Sequence, residues 1–526
     1  MASSPNLAAL ARDRFSNPKL NSAEEELVRS APNGTPADCS SGNIPGNGST
    51  DDPSESDKWP AARTIRAELI RWLCVDRQAK QLVDPRGIRI YGARIDDPLD
   101  LSSVTVPFPL DLRCCRLMKE LNLHSTEMPG LCLQGSWLGS LAADFINVKG
   151  AVFLVEGFHA TGEVRLIGAQ IGGDLDCRGA VLHNPAQAKA ENGGTALLAD
   201  GAVVKGSVFL NQGFQAEGTV RLVGAQIGGD LVCDKAQFDG ALILRRASIK
   251  DSLRWLEITE PDQATLDVTD ASVDTLVDDE TSWPLAGKIM LDGFVYRRFS
   301  GRAPTDAKSR LHWLARQARF APQPYRQLAK VFRDEGNASG ARKVLFEIER
   351  LRRAEQARKW DDPPAHGILL RAMRYVWRCV MVPIWSLVPR WTVGYFYDPG
   401  AIALKWLAAL IVVGTLLYYG GYTKRIIVPV DKDAYSAFKT KGEPPDYHGV
   451  FHPFLYSFEN TFQLVKIGQA DRWQPDPNPQ GSVGHISYRL ISAAELLGWF
   501  RWFQIVLGWF FTTMLISGFT DIVRKD

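Results

Sequence analysis

The chain lacks the signatures of the common catalytic centres. GxGxxG behind a strand, GxxxxGK(S/T), HExxH and GxSxG are all missing, so dinucleotide, P-loop, zincin and serine-hydrolase chemistry have no motif to stand on. Its 8 cysteines are scattered at Cys39, Cys74, Cys114, Cys115, Cys132, Cys177, Cys233 and Cys379, and none forms a CxxC pair. That excludes zinc-knuckle and thioredoxin-type spacing. The 8 histidines are dispersed. His448 and His452 are the one close pair, but Pro453 follows directly and no acidic third ligand stands at fixed spacing. No residue is therefore assigned as catalytic, cofactor-binding or metal-ligating, no cofactor is expected, and a non-enzyme is favoured. A formal net charge of +2 over 526 residues points to no polyanionic partner for the chain as a whole. Met1–Phe15 contains no continuous apolar stretch, so no cleavable signal is expected, and free thiols suggest a cytoplasmic bulk domain.

What the sequence does have is an internal duplication. Lys149–Cys177 reads KGAVFLVEGFHATGEVRLIGAQIGGDLDC, and Lys205–Cys233 reads KGSVFLNQGFQAEGTVRLVGAQIGGDLVC, with 21 of 29 aligned positions identical. A shorter period runs inside it. Ala precedes an aliphatic or aromatic residue by two at Ala169/Ile171, Ala180/Leu182, Ala225/Ile227, Ala236/Phe238 and Ala247/Ile249, several of them eleven apart. Apolar pairs such as Leu175/Cys177 and Leu231/Cys233 fall between. Alternation over two or three residues, broken by Gly and Asp, predicts very short strands and tight turns. Eleven residues for two faces gives about 22 per coil, a β-solenoid whose coils bury their inward residues only by stacking. Cys177 and Cys233 then pack in the core. The repeated Gly-Gly-Asp at 172–174 and 228–230 marks coil turns, with Gly supplying φ > 0 and Asp a cap. Asn184–Leu198 and Glu260–Leu266 read as loops leaving the coils.

Around this array the pattern changes. Residues 1–58 form an N-terminal segment: a short helix capped by Ser22 with Glu25 in capping-box register, then a Gly/Ser/Pro-rich disordered linker from Ala31 to Asp57. Pro60–Val75 reads as a helix whose face carries Ile65, Leu69, Trp72 and Leu73, placed to cap the open end of the solenoid within a capping segment, 59–82. The solenoid is assigned to 83–300. A basic helical hairpin, 301–362, pairs Pro324–Glu335 with Ala338–Arg358, and Arg302–Lys359 carries fifteen Lys/Arg against six Asp/Glu. Such a face is attracted to anionic lipid, with nucleic acid the disfavoured rival.

Residues 363–399 read as an interfacial amphipathic segment, in which Arg371, Arg374, Arg378 and Arg390 with Trp377 and Trp385 would lie at the membrane surface. In 400–526, Ala401–Tyr419 and Trp502–Phe519 are long enough, at roughly 27–29 Å, to span a bilayer. Flanking Lys and Arg place both termini in the cytoplasm. Between the spans Pro453–Trp473 is amphipathic, with Phe454, Phe458, Phe462 and Val465 at helical spacing. It reads as an interfacial helix or external cover. Its turn, Lys466, Gly468 and Gln469, echoes a pore loop in layout but lacks a carbonyl-stacking filter run such as TVGYG.

Taken in order, RTIRAELIRW (63–72), GIRIYGARI (87–95), the two GAQIGGDL copies, PYRQL (324–328), GYFYDP (394–399) and Tyr456–Trp473 resemble bacterial membrane-associated proteins with pentapeptide-like repeats, many labelled membrane-associated oxidoreductase. The resemblance implies a pentapeptide-like β-helix and a bacterial inner-membrane, multi-pass location. Its oxidoreductase label finds no motif here. The expected fold is mixed: β-solenoid, α-helical hairpin, then a two-helix transmembrane region. The expected function is a membrane-anchored, protein-binding scaffold. The alternatives are a pore-loop-like channel or sensor gated by the solenoid, and the oxidoreductase of the label. Expected partners are the lipid bilayer and an unknown protein, with a homo-oligomer left open.

Overall fold

A computed structural model describes residues 6–40, 51–185, 194–359, 399–476 and 493–519. It divides into two compact units, Met1–Val344 and Leu345–Asp526.

In the first unit each short run contributes two inward residues, i and i+2. Leu131/Leu133, Ser136/Leu138, Leu141/Ala143 and Ile146/Val148 are all buried, and four such pairs complete one circuit before Val152 pairs in parallel with Leu131. The strands on the four faces, such as Leu131–Cys132, Trp137–Leu138, Leu141–Ala142 and Asn147–Val148, are only two residues long and pair with their counterparts in the next coil. Hydrogen bonds between coils join residues 21, 22 or 23 positions apart, the period read from the sequence. Val152 pairs with Leu175, Leu175 with Val208 and Val208 with Leu231, so the duplicated segments lie two coils apart. One of those coils is longer, joining residues 33 apart. Within its insert, Thr195–Leu198 is a strand rather than part of the expected Asn184–Leu198 loop, and Thr265–Asp267 likewise returns to the ladder.

The Gly-Gly-Asp turns work differently from expectation. Neither pair of glycines has positive φ. They are required by close approach: a Cβ on Gly172 or Gly228 would strike the carbonyl of Lys149 or Lys205 in the coil below. The aspartate caps the next coil rather than its own turn, Asp174 accepting from the Ser207 N–H at 2.8 Å and Asp230 from Ser252 at 2.9 Å.

Open ladder ends would expose unpaired backbone, and both are closed. At the start, Ala37–Asp38 pairs with Ile90–Tyr91, and the Ile65 N–H donates to the Arg94 carbonyl at 2.8 Å. Ala31–Ser40 and Asp51–Asp57 are therefore structured, not linker, and the buried Asp51 meets Arg63 at 2.8 Å. Residues 41–50 lie outside the described residues. The capping helix begins at Ala67, because Thr64 and Ile65 are spent on the ladder, and buries Leu69, Ile70 and Leu73. The capping box upstream is Asn21 with Glu24, one residue before the expected pair, leaving Glu25 to bind Arg12. At the far end, helix Pro322–Asp334 turns its glutamines onto the last strand, Val295–Phe299. Gln323 Oε1 accepts from the Gly293 N–H at 2.9 Å, and Gln327 donates to the Tyr296 carbonyl at 2.5 Å. Beneath them Arg310, fully buried, forks onto Asp278 at 2.7 and 2.8 Å.

The second unit centres on two long helices, Pro399–Thr423 and Ala493–Phe519, with the short helix Pro453–Thr461 packed against both. Ile427–Pro429 pairs antiparallel with Trp473–Pro475, and helix Lys432–Lys441 covers that ribbon. Ala403–Thr423, 21 residues, is long and apolar enough to cross a membrane, the one such helix among the described residues. The other expected span lies in Ala493–Phe519, which also carries Glu495, Arg501 and Gln504.

Candidate functional site: a polar seam among three helices

The phenylalanine stripe of Pro453–Trp473 reads as one face of an interfacial helix or external cover. In the structure that stripe is not the buried face of the helix. Phe454 is exposed and Phe458 half-buried, while Tyr456, Ser457, Glu459, Asn460 and Thr461 are the buried face. Neither is the helix a cover over the helix ends. Phe462, just past its C-terminus, packs with Leu407, Leu410 and Phe511, and the Thr461 backbone abuts Gly508, each near the middle of a long helix. The chain then returns to Trp473, which packs with Tyr418 and Leu497 towards the ends of those helices and with Ile427 of the strand that follows the first. The segment thus runs to half-height between the two long helices and comes back.

A buried polar network holds it there. Gln504 is fully buried; its Oε1 accepts from the Tyr418 hydroxyl at 2.7 Å, and its Nε2 donates to Ser457 Oγ and Thr461 Oγ1, both at 2.9 Å. Ser457 Oγ donates to the Ile411 carbonyl at 2.9 Å. A Cβ on Gly414 would press on Ser457 and on Gln504 Nε2, so glycine is what lets the helices close on this network.

The turn is tied from within. Both oxygens of the buried Glu459 carboxylate accept backbone N–H groups: Oε1 those of Ile467 at 3.2 Å and Gly468 at 3.1 Å, Oε2 those of Gln469 at 2.8 Å and Ala470 at 2.9 Å. Successive N–H groups converge like this only if one residue takes a left-handed conformation, and Gly468 does, at φ 85°. Gln469, also buried, accepts from the His452 N–H at 3.1 Å, and Arg501 donates to Asn460 Oδ1 at 3.1 Å. Lys466 is exposed, with Leu464, Val465 and Ile467 around it.

Of the expected site residues, Gly468 and Gln469 therefore sit in an ordered turn and Lys466 at its tip. Arg371, Arg374, Arg378, Arg390, Trp377 and Trp385 fall outside the described residues. Glu459, Gln504 and Arg501 were missed. Gln504 had a signal, as the one amide in an apolar run; Glu459 had none, because its partners are backbone groups.

The solenoid offers surfaces rather than a reaction centre. Along one face Arg94, Arg116, Trp137 and His159 stand in register on successive coils, and Trp137 stacks on His159 with ring centroids 4.1 Å apart. Burial, reinforced by His183 and Arg116, lowers the His159 pKa. A shallow cavity of about 380 Å³ opens around Phe153, Glu156, Gly157, Asp176, Arg178 and Gln212. Burial pushes the Cys39 thiol up to about 11 and Cys74 to about 12, and Cys115, Cys177 and Cys233 higher still. Such thiols are poor nucleophiles. Among the described residues no group of three His, Cys, Asp or Glu side chains could hold a metal ion. The chain matches no family profile, and no curated protein or solved structure matches it either.

Proposed function

We propose that this chain is a membrane-integral scaffold: the second unit inserts into a bilayer, and the β-solenoid is a water-exposed body that binds a protein partner. One observation carries the first half. The second unit buries a polar seam, Gln504, Ser457, Asn460 and Thr461, beside its apolar clusters, while Leu416, Trp502, Val506 and Phe510 face outward. Water disfavours that distribution and hydrocarbon favours it, since lipid leaves polar side chains only one another as partners. Only 28% of the most apolar window of Ala403–Thr423 is buried, unlike the core helix of a water-soluble protein. At 1.5 Å per residue this helix reaches about 30 Å, the hydrocarbon thickness. Helix Ala493–Phe519 spans beside it, and its Arg501 donates to Asn460 in the seam.

The partner half rests on the solenoid's regularity. Coils in register repeat the same outward positions, and such arrays bind along extended faces; Arg116, Trp137 and His159 form a cationic and aromatic stretch of one. Two experiments test the proposal. After an alkaline carbonate wash the full-length protein stays in the membrane pellet; release into the supernatant contradicts insertion. A proximity-labelling fusion on the N-terminus marks a set of proteins that Trp137→Ala with Arg116→Ala loses, whereas an unchanged set contradicts that face as the binding surface.

A further inference from the structure

The duplication places two versions of one corner in the same solenoid. Phe153 and Phe209 are its equivalent outward residues, and both are in register with Asp176 of the coil between them. The corners that follow differ in length. Three residues, 155–157, separate the buried Leu154 and Phe158, and three, 211–213, separate the buried Leu210 and Phe214. The middle coil has only Arg178 and Gly179 between Cys177 and Ala180. Each long corner turns on two left-handed residues in a row, Glu156 and Gly157 at φ 49° and 86°, Gln212 and Gly213 at 53° and 90°. The long corners therefore overhang the short one. A Cβ added to Gly179 would lie 3.5 Å from the Gln212 carbonyl oxygen and 3.9 Å from the Glu156 Cα. The cavity of about 380 Å³ is this notch.

Its walls carry a definite chemistry. The buried Asp176 is held by Arg178, whose Nε donates to Oδ1 at 2.9 Å and whose Nη2 donates to Oδ2. The same guanidinium lies over the Phe209 ring, 5.5 Å from its centroid. The counterpart ring, Phe153, is 39% exposed on the cavity wall and carries no such cation among the described residues. Where the second copy has Gln212, the first has the Glu156 carboxylate, to which Gln134 donates. One cation, Arg178, thus stands against two carboxylates, Glu156 and Asp176, so the notch carries a surplus negative charge. An exposed ring beside a surplus carboxylate suits a cation on an apolar stem. The contact of Arg178 with Phe209 shows the guanidinium form of that fit.

We propose that the notch receives one arginine side chain of the protein partner, its guanidinium against Phe153 and paired with Glu156. The proposal rests on the partner reading above and names the chemistry recognised, a segment that presents an arginine. His159 opens the next strand two residues after Gly157, so the notch adjoins the face on which Trp137 and His159 stack. Lysine fits less well, because an ammonium offers neither a plane to stack nor a fork for the carboxylate.

Saturation-transfer NMR on the full-length protein in detergent tests the site, with acetyl-arginine methylamide as the probe and acetyl-citrulline methylamide as its uncharged counterpart. The arginine probe should bind on the order of fivefold more tightly, and Glu156→Gln or Phe153→Ala should bring it down to the citrulline level. Both side chains are exposed, so the variants should melt with the parent chain. Equal binding of the two probes, or arginine binding that survives both substitutions, overturns the site and leaves the Trp137 face untouched. The partner arm uses the N-terminal proximity-labelling fusion. The proteins lost with Trp137→Ala and Arg116→Ala should also be lost with Glu156→Gln and Phe153→Ala together. A set spared by the notch variant alone overturns a partner arginine as the occupant, and a set that neither variant changes contradicts the partner reading itself.

Discussion

The two units differ most in what they expose. In the solenoid the inward pairs, such as Leu131/Leu133 and Leu175/Cys177, are apolar, and charged pairs such as Arg165–Asp144 and Arg221–Asp200 run along the outside from coil to coil. In the second unit an amide, hydroxyls and a carboxylate are buried between two apolar clusters, and much of the outside of the long helices is Leu, Val, Trp and Phe. One rule, that each surface matches its solvent, covers both units if the second is inserted as proposed. The difference also separates two kinds of stability. The solenoid is held by stacked area, so a local loss is felt mainly by neighbouring coils, whereas the seam is held by a few directional bonds and fails when one of them goes.

That contrast can be broken most sharply at Glu459. Glu459→Ala strips the acceptor from four N–H groups at once, and even with strong non-additivity the second unit should lose about 5 kcal/mol. Thermal melting in detergent should show its transition collapse while the solenoid transition stays put; a shared fall would mean the units are not independently stabilised. Next comes Phe238→Ala. Phe238 is buried between Phe214, at 5.8 Å, and Trp255, at 5.3 Å, so the cavity should cost the solenoid about 4 kcal/mol in denaturant titration. A loss below about 1 kcal/mol would argue that the coils collapse freely around the gap.

A smaller effect should follow alkali. Cys74 has its pKa raised from 9.0 to about 12 by burial, so above pH 9 the unfolded chain releases a proton that the folded one keeps. Stability from this thiol is complete below pH 9 and lost as pH rises towards 12, about 2 kcal/mol by pH 10.5. Cys74→Ala should flatten that part of the pH profile, and an unchanged slope would place the titration elsewhere. Least of all should come Arg165→Ala. Its pair with Asp144 at 2.7 Å is partly exposed and should be worth about 0.5 kcal/mol, fading with salt.

The solenoid was legible because its physics is periodic: two inward residues per face repeat until the spacing itself gives the coil, down to the alanines at Ala169 and Ala180. Its caps were half legible. Leu69 and Leu73 marked the helix, but a two-residue strand at Ala37–Asp38 in a Gly/Ser/Pro-rich stretch leaves no pattern, since its partner rather than its composition makes it a strand. The Phe454/Phe458/Phe462 stripe marked a two-faced helix, but helical periodicity does not say which solvent each face meets. Glu459 stayed hidden because a carboxylate that binds main-chain N–H groups imposes no residue type on its partners.

Insertion can be tested at the surface that water should not touch. Val412 and Val506 are 59% and 62% exposed, one on each long helix. In a water-soluble unit Val412→Asp with Val506→Asp would change stability by no more than about 0.5 kcal/mol each and leave fractionation unaltered. Facing hydrocarbon, each aspartate costs roughly 3 kcal/mol of insertion. The double variant should therefore vanish from the carbonate-washed membrane pellet while the parent chain remains. Equal retention of the two proteins would contradict a lipid-facing surface on these helices.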